Sequence, residues 1–198
     1  MFAITFALIS CSEEQKQAEK PAANDPHMGV DMGAGGLNDL ASDTKQMPVE
    51  NKPELTLANF TLTKPESWTQ ENPSSAMRVV QYACGVDPSV KIVGFFFGQQ
   101  DMIRENIDRW KGEFAKVEKS NESKLAGDKI TYVEIEGVFR VKSAPMSQDF
   151  KETPGYMTLA AIVPSSEGPY YFKANGPSDV LKKEIENFKK FVGSYKAN

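Results

Sequence analysis

Two hydrophobic periods alternate along residues 53–198, and their order restricts the fold to one class. Apolar residues at every second position predict strands, and residues spaced by four and three predict amphipathic helices. The strand-like segments are residues 55–62, 77–84, 90–97, 130–141, 156–163 and 170–175. The helical stripes are Ile103, Ile107, Trp110, Phe114 and Val117, and Leu181, Ile185, Phe188, Val192 and Tyr195. Strands, helix, strands and helix, joined largely by short turns, predict an α+β domain: a largely antiparallel sheet flanked by two main helices.

Side chains with capping chemistry precede both helical stripes. Asp101 stands at the start of the first, and Ser178 or Asp179 stands at the start of the second. Their oxygens accept hydrogen bonds from the free N–H groups of a first helical turn. We therefore expect these residues to begin the two helices.

Composition allows one ordinary domain with a core, because the chain has 198 residues, of which 40% are hydrophobic and 25% are charged. Residues 12–50 carry three Lys against eight Asp or Glu, a formal charge of −5. Residues 51–198 carry twenty Lys or Arg against nineteen Asp or Glu, a formal charge of +1. We therefore expect no nucleic-acid-binding surface. One His and two Cys are too few for a structural zinc site or a disulfide framework.

Residues 1–11 form an uncharged apolar run that ends at a cysteine. Crossing a bilayer takes about 20 helical residues, so this run is too short to span one, and its length suits a signal peptide. The segment from Leu8 to Cys11 resembles the lipobox of bacterial lipoproteins. The resemblance implies cleavage before Cys11, diacylglycerol on its sulfur and an acyl chain such as palmitate on its new amino group, which together anchor a protein stably. The alternative is that residues 1–11 form a buried first strand or helix.

Residues 12–50 have the composition of a flexible acidic tether, since they are polar and contain no aromatic residue. Such a segment buries too little apolar surface to offset the entropy of ordering it. As a flexible chain it reaches on the order of 35 Å, so we expect the domain of residues 51–198 to stand off the lipid surface. Within the tether, His27, Met28 and Met32 offer one imidazole and two thioethers, ligands that suit Cu(I). A metal carrier is therefore an alternative to an unliganded tether.

The domain lacks the residues that common enzyme mechanisms use. Residues 51–198 contain no His, which removes Ser-His-Asp and Cys-His catalysis, and they contain no nucleophile-elbow, dinucleotide-binding or P-loop motif. Two enzymatic alternatives stay open. Cys84 is either a nucleophile or a buried, inert thiol. Glu134 and Glu136 point the same way on a predicted strand. They form an acid and base pair, a site for a hard cation or, with Arg140, a solvated charged surface.

Polar side chains that interrupt the apolar elements are candidates for a binding site. They are Arg78, Asn106, Arg109 and Lys173, of which Arg109 precedes Trp110 in the first helical stripe. A cation in such a place forms a structural ion pair, exposes its head beyond a packed stem, or lines a pocket for an anion or a partner's carboxylate. Both a structural and a binding role stay open for this set.

The sequence of residues 143–155 predicts a loop that is too long for a hairpin turn. It contains Met146, Phe150 and two prolines. Loops of this length often carry binding surfaces. The sequence therefore predicts a partner contact here.

The order of elements resembles the fold shared by the photosystem II accessory protein PsbP and the Ran-GTPase release factor. The local sequence is also similar to a group of uncharacterised bacterial lipoproteins across residues 54–195. The matching positions are Phe60, Pro65, Trp68, Met77, Arg78, Asn106, Arg109, Trp110, Phe172, Lys173, Gly176 and Pro177. The resemblance implies an accessory or partner-binding protein rather than an enzyme.

These features together predict a lipid-anchored protein of the bacterial cell envelope, facing the periplasm or the exterior. Its parts are a signal peptide over residues 1–11, a tether over residues 12–50 and an α+β domain over residues 51–198. We expect a monomer without cofactor, metal or catalytic chemistry that contacts a protein partner or a small ligand near the membrane. The alternatives are a histidine-free enzyme and a periplasmic carrier of a metal or an anion.

Overall fold

The computed structural model describes residues 50–98, 102–143 and 149–198. The elements in these segments are β1 (Glu54–Leu57), β2 (Phe60–Thr63), β3 (Thr69–Glu71), β4 (Arg78–Ala83), β5 (Lys91–Phe96), α1 (Ile103–Gly112), β6 (Phe114–Leu125), β7 (Ile130–Lys142), β8 (Phe150–Val163), β9 (Tyr170–Pro177), α2 (Ser178–Gly193) and β10 (Lys196–Ala197). The predictions that fall outside the described residues concern the signal peptide with Cys11, the tether with His27, Met28 and Met32, and Asp101 and Met146. Neither helix of the described segments has the length and apolarity needed to cross a membrane.

The larger sheet has seven strands in the order β3, β4, β5, β9, β8, β7 and β6, and every neighbouring pair is antiparallel. A smaller sheet of β1, β2 and β10 is also antiparallel. The predicted α+β class, with a largely antiparallel sheet and two main helices, is confirmed.

Helix α2 covers one face of the large sheet. Its apolar stripe, which includes Leu181 and Phe188, packs against alternate strand residues such as Leu159 and Phe172. The small sheet adds Phe60 to the same core. Because successive strand residues point to opposite faces, every second residue of β7, β8 and β9 is committed to this side.

Helix α1 covers the other face, where the intervening strand residues lie. Ile107 and Trp110 of the helix pack against Val133, Ala160 and Tyr171. The central strands are therefore apolar on both sides, which explains their nearly continuous hydrophobic sequence.

Helix α1 ends at Gly112, so the prediction that the first helical stripe runs through Phe114 and Val117 is wrong. Both residues belong to β6, a strand of twelve residues at the edge of the large sheet. After Phe114 the strand is mostly exposed and polar, so it lacks the period of two by which strands are recognised. Charged side chains at such an edge hinder pairing with other chains.

The start of α2 differs from the prediction that Ser178 or Asp179 caps it. Strand β9 continues to Pro177, which occupies the cap position in an extended conformation, and no side chain donates or accepts a capping hydrogen bond there. Asp179 lies in the first turn instead, where its negative charge suits the helix dipole. The helix ends at Gly193, and Tyr195 beyond it still packs against the α2 core.

The prediction of a loop over residues 143–155 assigns too many residues to it, because β8 already begins at Phe150. Residues 150–153 pair with the end of β7, and the pairing register then shifts at Pro154 and Gly155. Gly155 has a φ of 69°, a left-handed conformation that favours glycine. Proline and glycine thus interrupt the period of two without ending the strand.

Candidate functional site

Two polar residues of α1 are coupled to each other one helical turn apart. Asn106 is buried, and its Nδ2 donates to the Met102 carbonyl oxygen at 2.8 Å. Its Oδ1 accepts from Arg109 Nη2 at 2.5 Å. Among the described residues, no carboxylate lies within ion-pair distance of Arg109. The guanidinium is therefore held by a buried amide, while Arg109 itself is exposed.

Lys173 lies beside this pair on β9 but has a different role. Its side chain is only 11% exposed, and its Nζ is 2.5 Å from Glu113 Oε2 and 5.9 Å from the centre of the Trp110 ring. Burial lowers the pKa of Lys173, the Glu113 carboxylate opposes that effect, and Arg109 nearby lowers it further. Because the lysine and Glu113 neutralise each other, Arg109 is the exposed cation of this cluster.

A hollow of about 320 Å³ lies on one side of Arg109. Its lining residues are Phe97, Met102, Glu105, Asn106, Arg109 and Tyr171. The Phe97 side chain is 43% exposed and stacks on Phe95, with ring centres 5.9 Å apart. The hollow thus combines an apolar wall with one guanidinium and, at its rim, one carboxylate.

A second hollow of about 850 Å³ lies on the other side of Arg109. Its lining residues are Arg109, Gly112, Glu113, Phe139, Arg140, Val141, Lys142 and Phe150. Phe150 is 49% exposed, and Arg140 Nη1 donates to the Gly112 carbonyl oxygen at 3.1 Å, at the end of α1. We call Arg109 with the two flanking hollows the Arg109 surface.

The structure places Asn106, Arg109 and Phe150 at this surface and Lys173 directly behind it, whereas Arg78 lies elsewhere. Arg78 is on β4, where its Nη1 donates to Ser74 Oγ at 2.7 Å and to Gln81 Oε1 at 2.5 Å. It lines neither hollow. The predicted basic set therefore divides between the Arg109 surface and a separate hydrogen-bond network around Arg78.

Glu134 and Glu136 lie on the α2 face of the large sheet. Glu134 Oε1 is 3.1 Å from Lys189 Nζ, and Glu136 Oε1 is 2.5 Å from Lys182 Nζ. The bond from Lys182 holds the pKa of Glu136 below its usual range. Each carboxylate thus has its own lysine of α2, an arrangement typical of a charged surface. No group of three His, Cys, Asp or Glu side chains in the described segments has an arrangement suited to a metal ion.

Cys84 is fully buried, and burial raises the pKa of its thiol. A thiol in this state is a poor nucleophile, since the thiolate is the reactive form. Its neighbour in the core is Glu184, which the sequence analysis missed.

Glu184 is a carboxylate of α2 that is only 1% exposed. It accepts from Trp68 Nε1 at 2.8 Å, from the Val86 backbone N–H at 3.3 Å and from Asn187 Nδ2 at 3.1 Å. Its place three residues after Leu181 puts it within the apolar stripe, which is the signal that sequence inspection offers for a buried carboxylate. It joins α2 to two loops and faces away from the Arg109 surface.

Among the comparisons with known proteins, the search of solved structures finds similarities. No protein-family model matches the chain, and a search of curated proteins finds no match. Among solved structures, the chain is similar to cyanobacterial PsbP (CyanoP) from Synechocystis, with a TM-score of 0.44 and 11% sequence identity. That alignment covers 71% of this chain and 87% of the other.

Proposed function

We propose that this chain is a lipid-anchored accessory protein of the cell envelope that binds a protein partner through the Arg109 surface and performs no chemistry itself. The observation that carries the proposal is an oriented, exposed guanidinium between two hollows with apolar walls. Arginine, methionine and aromatic residues are the types enriched at protein interfaces and at their energetic centres. Phe97, Met102 and Phe150 are all exposed here.

The binding role has better support than the catalytic alternatives. Glu134 and Glu136 are each paired with a lysine, and Cys84 is buried with a raised pKa. General acid and base catalysis needs a group that reaches the substrate with a pKa near the working pH. None of these three groups lines either hollow of the Arg109 surface.

The partner is tested by photo-crosslinking in intact cells. A photoreactive amino acid at Phe97 or Phe150 is expected to give a discrete adduct with one protein. The matched control is the same amino acid at Val86, which is 43% exposed like Phe97 but lies on the loop held by Glu184. Equal adducts from all three positions, or none from Phe97 and Phe150, would contradict the proposal.

The anchor is tested by labelling cells with a fatty acid. Support for it comes from the apolar run that ends at Cys11. We expect label in the native chain, no label in Cys11→Ser, and full label in the matched variant Cys84→Ser. An unlabelled native chain, or label that persists in Cys11→Ser, would overturn the anchor but leave the binding surface untouched.

A further inference from the structure

We propose that the segment bound by the Arg109 surface is a short acidic peptide with a central carboxylate and an apolar side chain on either side of it. This inference rests on the proposed function and names the chemistry of the partner. It follows from the charge of Arg109, from the two hollows and from the distance between them.

The carboxylate is assigned by the charge of Arg109, which has no ion-pair partner among the described residues. Its planar guanidinium can bind a carboxylate through two parallel hydrogen bonds, and Asn106 already fixes its orientation. Glu113, which lines the second hollow with Arg109, is neutralised by Lys173. Arg140 and Lys142 add two cations on the wall of the second hollow. Positive charge therefore prevails along the surface, and an acidic segment is its complement.

The walls of the hollows indicate that the peptide has apolar side chains. Phe97, Met102 and Tyr171 line the first hollow, and three further apolar residues line the second. The second set is Phe139, Val141 and Phe150. An apolar side chain that enters either hollow removes these surfaces from water, and aromatic anchors of this kind contribute most of the energy in many interfaces.

The spacing of the three groups follows from the helix. The hollows extend along α1 from Met102 to Gly112, with Arg109 common to both. Ten residues of helix span about 15 Å at 1.5 Å per residue. An extended peptide covers that length with about five residues at roughly 3.3 Å each. The expected motif is an Asp or Glu with an apolar residue on each side of it, all within a stretch of about five residues.

A peptide fits this surface better than an anionic membrane does. The apolar residues lie in the walls of hollows, where protruding side chains of a partner can enter. We therefore assign the surface to a peptide and treat vesicle binding as an outcome of the test.

The test uses the full chain in mild detergent and a displayed library of random nonapeptides as the probe. We expect the enriched peptides to share the motif above. The most enriched peptide is then synthesised, and its affinity is measured by fluorescence polarisation. Arg109→Gln is expected to weaken binding at least tenfold, Arg109→Lys by less, and Phe97→Ser and Phe150→Ser severalfold each.

Arg104→Gln is the matched control, since Arg104 is an exposed arginine of the same helix that pairs with Glu122 instead. Its affinity is expected to equal that of the native chain. Circular dichroism of each variant checks that the fold is retained. Enriched peptides without an acidic residue, or equal binding by Arg109→Gln, would overturn the inference. Binding of phosphatidylglycerol vesicles that depends on Arg109, without any enriched peptide, would overturn it in favour of a membrane.

The two proposals fail separately. If Phe150 gives a crosslinked partner in cells but the library yields no acidic motif, the binding function stands and the peptide chemistry is wrong. If the library yields the motif but no crosslink forms in cells, the surface binds acidic peptides and the proposed cellular function is wrong.

Discussion

Replacing Glu184 by alanine is expected to destabilise the fold more than any other single carboxylate truncation on α2. The native carboxylate accepts hydrogen bonds from Trp68 Nε1, which is buried in the α2 core, and from the Val86 N–H, which is only partly buried. Alanine leaves these two donors without their acceptor. Asn187, the third donor, lies nearer the surface and is only partly buried.

The magnitude follows from the cost of unpaired donors. A buried donor such as Trp68 Nε1 costs about 1–3 kcal/mol when it is left without an acceptor, and the partly buried Val86 N–H costs less. Removing a buried carboxylate also relieves its own desolvation cost, which offsets part of that loss. We expect the free energy of unfolding to fall by about 2–4 kcal/mol. For a domain of roughly 150 residues, 1 kcal/mol shifts Tm by about 2–4 °C, so Tm should fall by roughly 4–16 °C.

The assay is urea unfolding of the full chain, followed by circular dichroism. Glu186→Ala is the matched control, because Glu186 is exposed on the same helix two residues further on. A double-mutant cycle with Trp68→Phe measures the bond itself, with an expected coupling of about 1.5–3 kcal/mol for a hydrogen bond to a charged group. The reasoning is refuted if Glu184→Ala and Glu186→Ala unfold within about 0.5 kcal/mol of each other, the scatter usual for surface changes.

Three further predictions concern a close backbone contact, stability at acidic pH and the thiol in the core. Gly137→Ala should lower the urea midpoint of unfolding, because the new Cβ would lie 2.1 Å from a backbone oxygen of β6. Gly112→Ala is the control and should leave the midpoint unchanged, because its Cβ would meet open space. A lysine of α2 holds the pKa of Glu136 below its usual range in the folded protein. The ion pair therefore stabilises the fold fully above the pKa of the unfolded chain, about 4.3. This stabilisation is lost as the pH falls through the lower pKa of the folded protein. Unfolding between pH 5 and pH 3 should therefore depend less on pH in Glu136→Gln, and an unchanged dependence would contradict this. In a Cys11→Ser chain, Cys84 should react with a thiol reagent at pH 8 only as fast as the domain opens; rapid reaction of the folded protein would show that the thiol is accessible.

The helices and central strands were predictable because burial leaves a period in their sequences. The stripe from Leu181 to Val192 marks the buried side of α2, and the apolar run of β5 marks a strand covered on both faces. Strand β6 was not predictable in the same way. It lies at the edge of the sheet and is mostly exposed, so its sequence carries no alternation, and the stripe of α1 was extended into it through Phe114 and Val117.

The candidate site was predictable in part for a similar reason. Asn106, Arg109 and Lys173 interrupt apolar elements, and an interruption is visible in the sequence. The separation of Arg78 was not visible, because Arg78 lies on β4 and Lys173 on β9, and β5 lies between these two strands in the sheet. Strand order depends on pairing between distant parts of the chain, which local periodicity does not reveal.

The Arg109 surface is a product of the path that the chain takes across the sheet. Helix α1 connects β5, in the interior of the large sheet, to β6 at its edge, so it must cross the sheet face. Burial of Ile107 and Trp110 on that face leaves Arg109 at the flank of the helix. The first hollow is completed by the end of β5, and the second is completed by the β7 and β8 pair that extends past the end of α1. Phe97 and Phe150 are far apart in sequence, and the path of α1 across the sheet brings both close to Arg109. A short sequence motif therefore does not encode the Arg109 surface.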